Sequence, residues 1–158
     1  GFIRPGADPR DWISRANAPA CGVVPATDGR RMFVYRLSHY GQKSAHLARY
    51  SLRLDGFASL SAGFSGGELV TKPLRFSGKS LSINFATSAA GGVRIEIQDA
   101  SGKPFDGYAL ADCAEAVGDQ IERSVLWKSG SDVSRLAGKT VRLRFVLRDA
   151  DLYSFSFQ

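Results

Sequence analysis

The stretch VRLRFVLRDADLYSFSFQ, residues 141–158, alternates almost without interruption. Val141, Leu143, Phe145 and Leu147 would share one face of an extended chain. Tyr153, Phe155 and Phe157 would share a face of a second strand, with RDAD as the turn between the two. A strand points successive side chains to opposite faces, so a period of two excludes an amphipathic helix.

The same period recurs from residue 48 onward. ARYSLRLDGFASLSA is expected to be a strand, an Asp55-Gly56 turn and a returning strand, because Asp-Gly tolerates the positive φ of tight hairpins. In GELVTKPLRF, Pro73 marks an edge or an interruption, since proline cannot donate to a ladder. LSINFATS sets Leu81, Ile83 and Phe85 on one face. GVRIEIQD sets Val93, Ile95 and Ile97 inward, with Arg94, Glu96 and Gln98 outward. QIERSVLW is a further strand, and SDVSRLAG a short helical turn capped by Ser131 or Asp132 and stopped at Gly138. Many short strands and almost no helical period predict an all-β chain, an antiparallel β-sandwich of jelly-roll-like kind. Its expected core is Leu81, Ile83, Phe85, Val93, Ile95, Ile97, Val141, Leu143, Phe145 and Phe155.

Residues 1–47 differ. They hold four of the six prolines, both histidines and one of the two tryptophans. CGVVPATDGRRMFVYRLSHYG would form two short strands about a TDGR turn, giving with HLARYSL about as many strands as one propeller blade. The expected organisation is therefore a blade-like or interface β segment over 1–47 and a sandwich domain over 48–158. A lone blade cannot bury both faces, so Val23, Val24, Phe33, Val34 and Leu37 call for a partner surface.

The net charge is +6. Its basic residues stand at alternate strand positions, such as Arg49 with Arg53 and Arg142 with Arg144, as on the wet face of an antiparallel sheet. No basic stripe with interleaved aromatics tracks a phosphate backbone, so nucleic acid is not the expected partner. No apolar run approaches the roughly 20 residues that cross a membrane. Cys21 and Cys113 allow one disulfide or none, and their spacing is not that of a metal site. Two buried thiols are the preferred expectation.

Chemistry-bearing residues are sparse. Asp106, Asp112, Glu115, Asp119 and Glu122 could gather in one loop, but their spacing matches no calcium-binding loop and they read as solvated. No cofactor is expected, with a structural calcium as the alternative. No GxSxG precedes a helix, and GFSGGE lacks the Lys-Ser/Thr of a phosphate loop. The remaining chemistry is sugar binding, because aromatic rings offer flat apolar faces to a pyranose. Trp12, Tyr40, Tyr108 and Trp127 are the ring candidates, and His39 joins Tyr40 in SHYGQKSAH with Gln42 and His46.

The phrases LRLDGF, TKPL and RFVLRDADLYSF, within the run from RYSLRLDGFASLSAG to the C-terminus, carry a resemblance. The chain resembles the C-terminal region of bacterial glycoside-hydrolase-like proteins, which look like five-bladed β-propellers followed by a β-sandwich, similar to invertase-type glycosidases. The resemblance implies last-blade material followed by a closing sandwich, in the tail of a larger extracellular or periplasmic protein. It places catalytic carboxylates in earlier blades, so this chain alone is expected to be non-catalytic. The leading functional expectation is an accessory module that stabilises a propeller and binds glycan. One alternative is a fragment of a glycoside hydrolase whose blade segment lends His39 or Tyr40 to the pocket. Another is a basic module that binds polyanions.

Overall fold

A computed structural model describes residues 3–13 and 18–158. The described chain is all-β apart from short 3-10 turns at Pro9–Trp12, Leu110–Asp112 and Ser134–Leu136. It divides into two compact units, Gly1–Gly56 and Phe57–Gln158.

The N-terminal unit holds β1 (Ala18–Pro19), β2 (Val24–Pro25), β3 (Arg31–Ser38) and β4 (His46–Arg53). β3 is central: β1 and β2 pair with it along one edge and β4 along the other, all antiparallel. The TDGR turn forms between β2 and β3. Gly29 takes φ 64°, and the Asp28 carboxylate accepts the backbone N–H groups of Arg30 at 2.9 Å and Arg31 at 3.2 Å. One face of β3 is buried, with Met32, Val34, Arg36 and Ser38 at 9% exposure or less. Phe33, Tyr35 and Leu37 on the other face are half-buried.

The strand His46–Arg53 was expected in the sandwich, returning on itself through Asp55-Gly56. Asp55 does take a positive φ of 57°. Yet β4 pairs along its whole length with β3, and the next strand pairs elsewhere. The tight turn therefore joins the two units, at 56/57 rather than 47/48.

The C-terminal unit holds β5 (Leu60–Ala62), β6 (Gly67–Val70), β7 (Leu81–Gln98), β8 (Asp119–Ser124) and β9 (Arg142–Phe157). The order is β5-β9-β7-β8, with β6 also on β9, and every pairing is antiparallel. The stretches LSINFATS and GVRIEIQD are one strand, and RDAD is no turn but part of the single strand β9. The ladder jumps from Thr87↔Ala150 to Gly92↔Arg148, leaving extra residues on β7, while Asp149 takes φ 43°. The two long strands bend at one place. A Cβ on Gly91 would stand 2.6 Å from the Arg148 carbonyl oxygen, so the backbone approach there requires glycine.

The bend makes the sandwich. Leu81, Ile83 and Phe85 before it, and Val93, Ile95 and Ile97 after it, are all at most 1% exposed and belong to one core. Leu143, Phe145 and Leu147 face them from β9, and beyond Asp149 the inward set changes parity to Ala150 and Leu152. The segment after β7 closes the core with Tyr108, Cys113, Val125, Trp127, Val133 and Leu136. Each large apolar side chain buried in this way contributes about 1.5–3 kcal/mol.

Two expectations need correction. Phe155 faces inward but remains 36% exposed, because it lines an open groove of about 420 Å³ with Leu60, Leu69 and Leu152. Cys113 is a buried thiol whose Sγ accepts the Ile95 N–H at 3.3 Å, and burial pushes its pKa up. Cys21 is exposed, in a bend before β2 whose neighbours are exposed too, and both cysteines are free.

Candidate ligand-binding site

Trp12, His39 and Tyr40 lie in the N-terminal unit, on two segments held to one another by a polar network. The first is the 3-10 turn Pro9–Trp12. It starts where Asp8 precedes a proline whose fixed φ suits the first helical position, and the Asp8 carboxylate accepts the Arg10 N–H at 3.0 Å. The second is the loop after β3, where His39 takes φ 54° and Gly41 φ 75°.

Arg36 is the anchor. It occupies a buried position of β3, between Val34 and Ser38, where a cation must be paired. Its Nη2 lies 2.7 Å from Asp11 Oδ2 and donates to Ser38 Oγ at 2.7 Å, and its guanidinium stands over the Tyr50 ring at 5.5 Å. The other Asp11 oxygen accepts the His39 N–H at 3.3 Å. His39 Nε2 stands 3.3 Å from Asp8 Oδ2, and Gln42 Nε2 donates to the Arg10 carbonyl at 2.8 Å.

These bonds set the charges. The Arg10 side chain and N–H hold the Asp8 carboxyl well below the usual carboxylate range. For Asp11, burial pushes upward, but the His39 N–H and the Arg36 guanidinium outweigh it and the pKa falls.

Ser44 completes an Asp–His–Ser line: its Oγ is 3.0 Å from His39 Nδ1. The Ser44 carbonyl is 3.2 Å from the same nitrogen. Both Ser44 oxygens thus lie within hydrogen-bonding distance of one ring nitrogen, with the Asp8 carboxylate near the other. His46 Nδ1 lies 3.0 Å from the Ser44 carbonyl, and the two imidazoles meet edge to face at 4.9 Å. The arrangement ties the loop after β3 to itself and to the start of the Pro9–Trp12 turn. Among the described residues no group of three or more His, Cys, Asp or Glu side chains is placed to hold a metal.

The rings of Trp12 and Tyr40 are 51% and 56% exposed. Trp12 Nε1 donates to the Gly6 carbonyl at 2.8 Å, which fixes the indole while leaving it open to solvent. No family model, no curated protein and no solved structure matches this chain.

Tyr108 and Trp127 are placed quite differently. They are 2% and 3% exposed, and pack edge to face at 5.3 Å in the sandwich core. The Tyr108 hydroxyl donates to the Asp132 carbonyl at 2.7 Å, and Trp127 Nε1 to the Ile95 carbonyl at 3.1 Å. Stacking on a sugar needs an accessible ring face, and these rings offer none.

Asp8, Arg10, Asp11, Arg36 and Ser44 were not among the expected site residues. Two signals point to them: DPRDW has the Asp-Pro start of a capped turn, and Arg36 interrupts the apolar alternation of RMFVYRLS on its buried face.

Proposed function

We infer that the chain is a non-catalytic glycan-binding module of a carbohydrate-active protein, with Trp12 and Tyr40 as its sugar-facing rings. The observation that carries this reading is that both rings are exposed on segments pinned by Asp8, Asp11 and Gln42. Rings held in place before the ligand arrives lose little entropy on binding. Arg10, Gln42 and the acidic side chains supply polar neighbours for hydroxyls. The resemblance to the tail of propeller glycosidases points the same way. Asp112, one of the five acids that could have gathered in one loop, pairs with Lys128 at 3.0 Å.

The test is titration of the chain with soluble oligosaccharides, followed by tryptophan fluorescence. Binding that falls at least tenfold in both Trp12→Ala and Tyr40→Ala supports the reading. Equal binding by both variants and the parent, or none by any of them, sinks it.

One observation favours polyanions as a second reading. Residues 1–56 carry nine Lys and Arg against four Asp, so +5 of the +6 net charge lies in the N-terminal unit rather than scattered along the chain. Affinity for heparin that falls steeply with salt supports that reading, and salt-independent affinity opposes it.

A further inference from the structure

We propose that the outer edge of β4 is a strand-addition site, which takes an extended acidic segment of another protein in antiparallel register. The proposal is independent of the glycan reading and uses other residues.

Hydrogen bonding fixes which backbone groups face outward. Arg31↔Arg53 are opposite one another, so Arg30 and Leu54 are opposite as well. The Leu54 N–H donates to the Arg30 carbonyl at 2.8 Å, which makes that pair a hydrogen-bonded one. In an antiparallel ladder such pairs recur at every second residue. His46, Ala48, Tyr50 and Leu52 therefore face β3 with their N–H and C=O groups. Leu47, Arg49 and Ser51 direct theirs away from it. The far side of β3 agrees, since there the odd residues Arg31 and Tyr35 accept from Ala26 and Ala20, each at 2.9 Å. Among the described residues β3 is the only strand that pairs with β4.

Exposed edges are usually blunted by brevity, charge, proline or a bulge, and of these β4 has only charge, in Arg49 and Arg53. β4 has eight residues, HLARYSLR, with neither proline nor glycine and an unbroken register to β3. Leu47 is 60% exposed and Tyr50 37% exposed, while Arg49 and Ser51 are exposed as well. Such an edge is a ready template for another strand, with main-chain bonds for affinity and alternate side chains for specificity.

Charge decides the occupant. The strand carries two arginines and no acid, and Arg49 stands over the Phe33 ring at 4.7 Å on the same face. A second copy paired about Arg49 or Ser51 would set arginines against arginines, which is unfavourable across a ladder, and no register of it supplies a carboxylate to Arg49. A carboxylate opposite Arg49, with apolar residues opposite Leu47 and Tyr50, complements the edge. Read along the antiparallel partner, this is apolar, acidic, any, apolar.

The test uses the full chain and a labelled peptide with the core Thr-Val-Glu-Thr-Val, beside a control with Lys for Glu. The Glu peptide should slow amide exchange at Leu47, Arg49 and Ser51 but leave Ala48 and Tyr50 as they were. Ser51→Pro removes only an outward N–H, which an edge strand tolerates, and should weaken binding at least tenfold. Arg49→Glu should weaken the Glu peptide similarly and favour the Lys peptide. It also carries the test if Ser51→Pro does not fold. The proposal is overturned if the three amides are not slowed, or if Arg49→Glu leaves the preference unchanged. It is equally overturned if those amides slow with protein concentration alone, or with a single-stranded oligonucleotide and not with the peptide.

Discussion

Arg36 Nη2 lies 2.7 Å from Asp11 Oδ2, with the two side chains 3% and 12% exposed. This pair ties the turn at the start of the chain to the central strand of its unit. The second Asp11 oxygen takes the His39 N–H, so one carboxylate holds both segments that carry the exposed rings.

Acid should loosen that tie. Asp8 and Asp11 both titrate lower in the folded chain than free Asp, which ionises near 3.9. A lowered folded pKa means that the unfolded chain binds protons first. The stabilisation is therefore present above the unfolded value and is lost as pH falls through the folded one. In an NMR titration the His39 amide should move with a midpoint below about 3.9. Asp11→Asn should abolish the movement, and a midpoint above that value contradicts the assignment.

Phe145 is fully buried and its ring lies 5.5 Å from that of Phe155. Phe145→Ala should cost about 3–5 kcal/mol in denaturant unfolding, the usual range for a buried phenylalanine. A loss under about 1 kcal/mol would place the residue outside a packed core.

Gly91→Ala should lower the melting temperature, because Gly91 is buried in the bend. A methyl group there meets main-chain oxygens of the facing strand, which cannot rotate aside. Ser88→Ala, three residues away in the same bend, should leave the melting temperature nearly unchanged. Equal behaviour of the two variants would show that the bend does not depend on the close approach.

The C-terminal unit should fold by itself. Residues 57–158 contain all five strands of its sheet and the whole core cluster. Made alone, they should give a β-type circular dichroism spectrum and a cooperative denaturant transition. Loss of both would make the two units one inseparable core. Proteolysis in GQKSA, between β3 and β4, would nick the N-terminal unit rather than release the sandwich.

The inward faces of β7 and of the first half of β9 were legible because alternation depends only on local period. The bend was not: RDAD has the composition of a turn, and only the jump of the ladder past Asp149, opposite a lengthened β7, makes it a bulge. The Asp55-Gly56 turn was placed correctly in conformation and wrongly in partnership, since turn chemistry fixes φ but not which strand lies alongside. Tyr108 and Trp127 stand near loop-forming residues, yet those loops fold over the sheet and bury them. Trp12, His39 and Tyr40 were candidates by residue type alone. Their scaffold was not, because Asp11 and Arg36 are 25 residues apart and nothing local marks them as partners.

The position of β9 has a consequence for biosynthesis. It is the common neighbour of β5, β6 and β7. Until β9 has been made, β5 and β6 have no ladder, and β7 has only β8. Chains emerge from the ribosome at roughly 5–20 residues per second. The apolar faces of the earlier strands therefore stay uncovered for seconds before their partner arrives. The N-terminal unit, whose strands are neighbours in sequence, has no such wait and can close while the sandwich is still being translated.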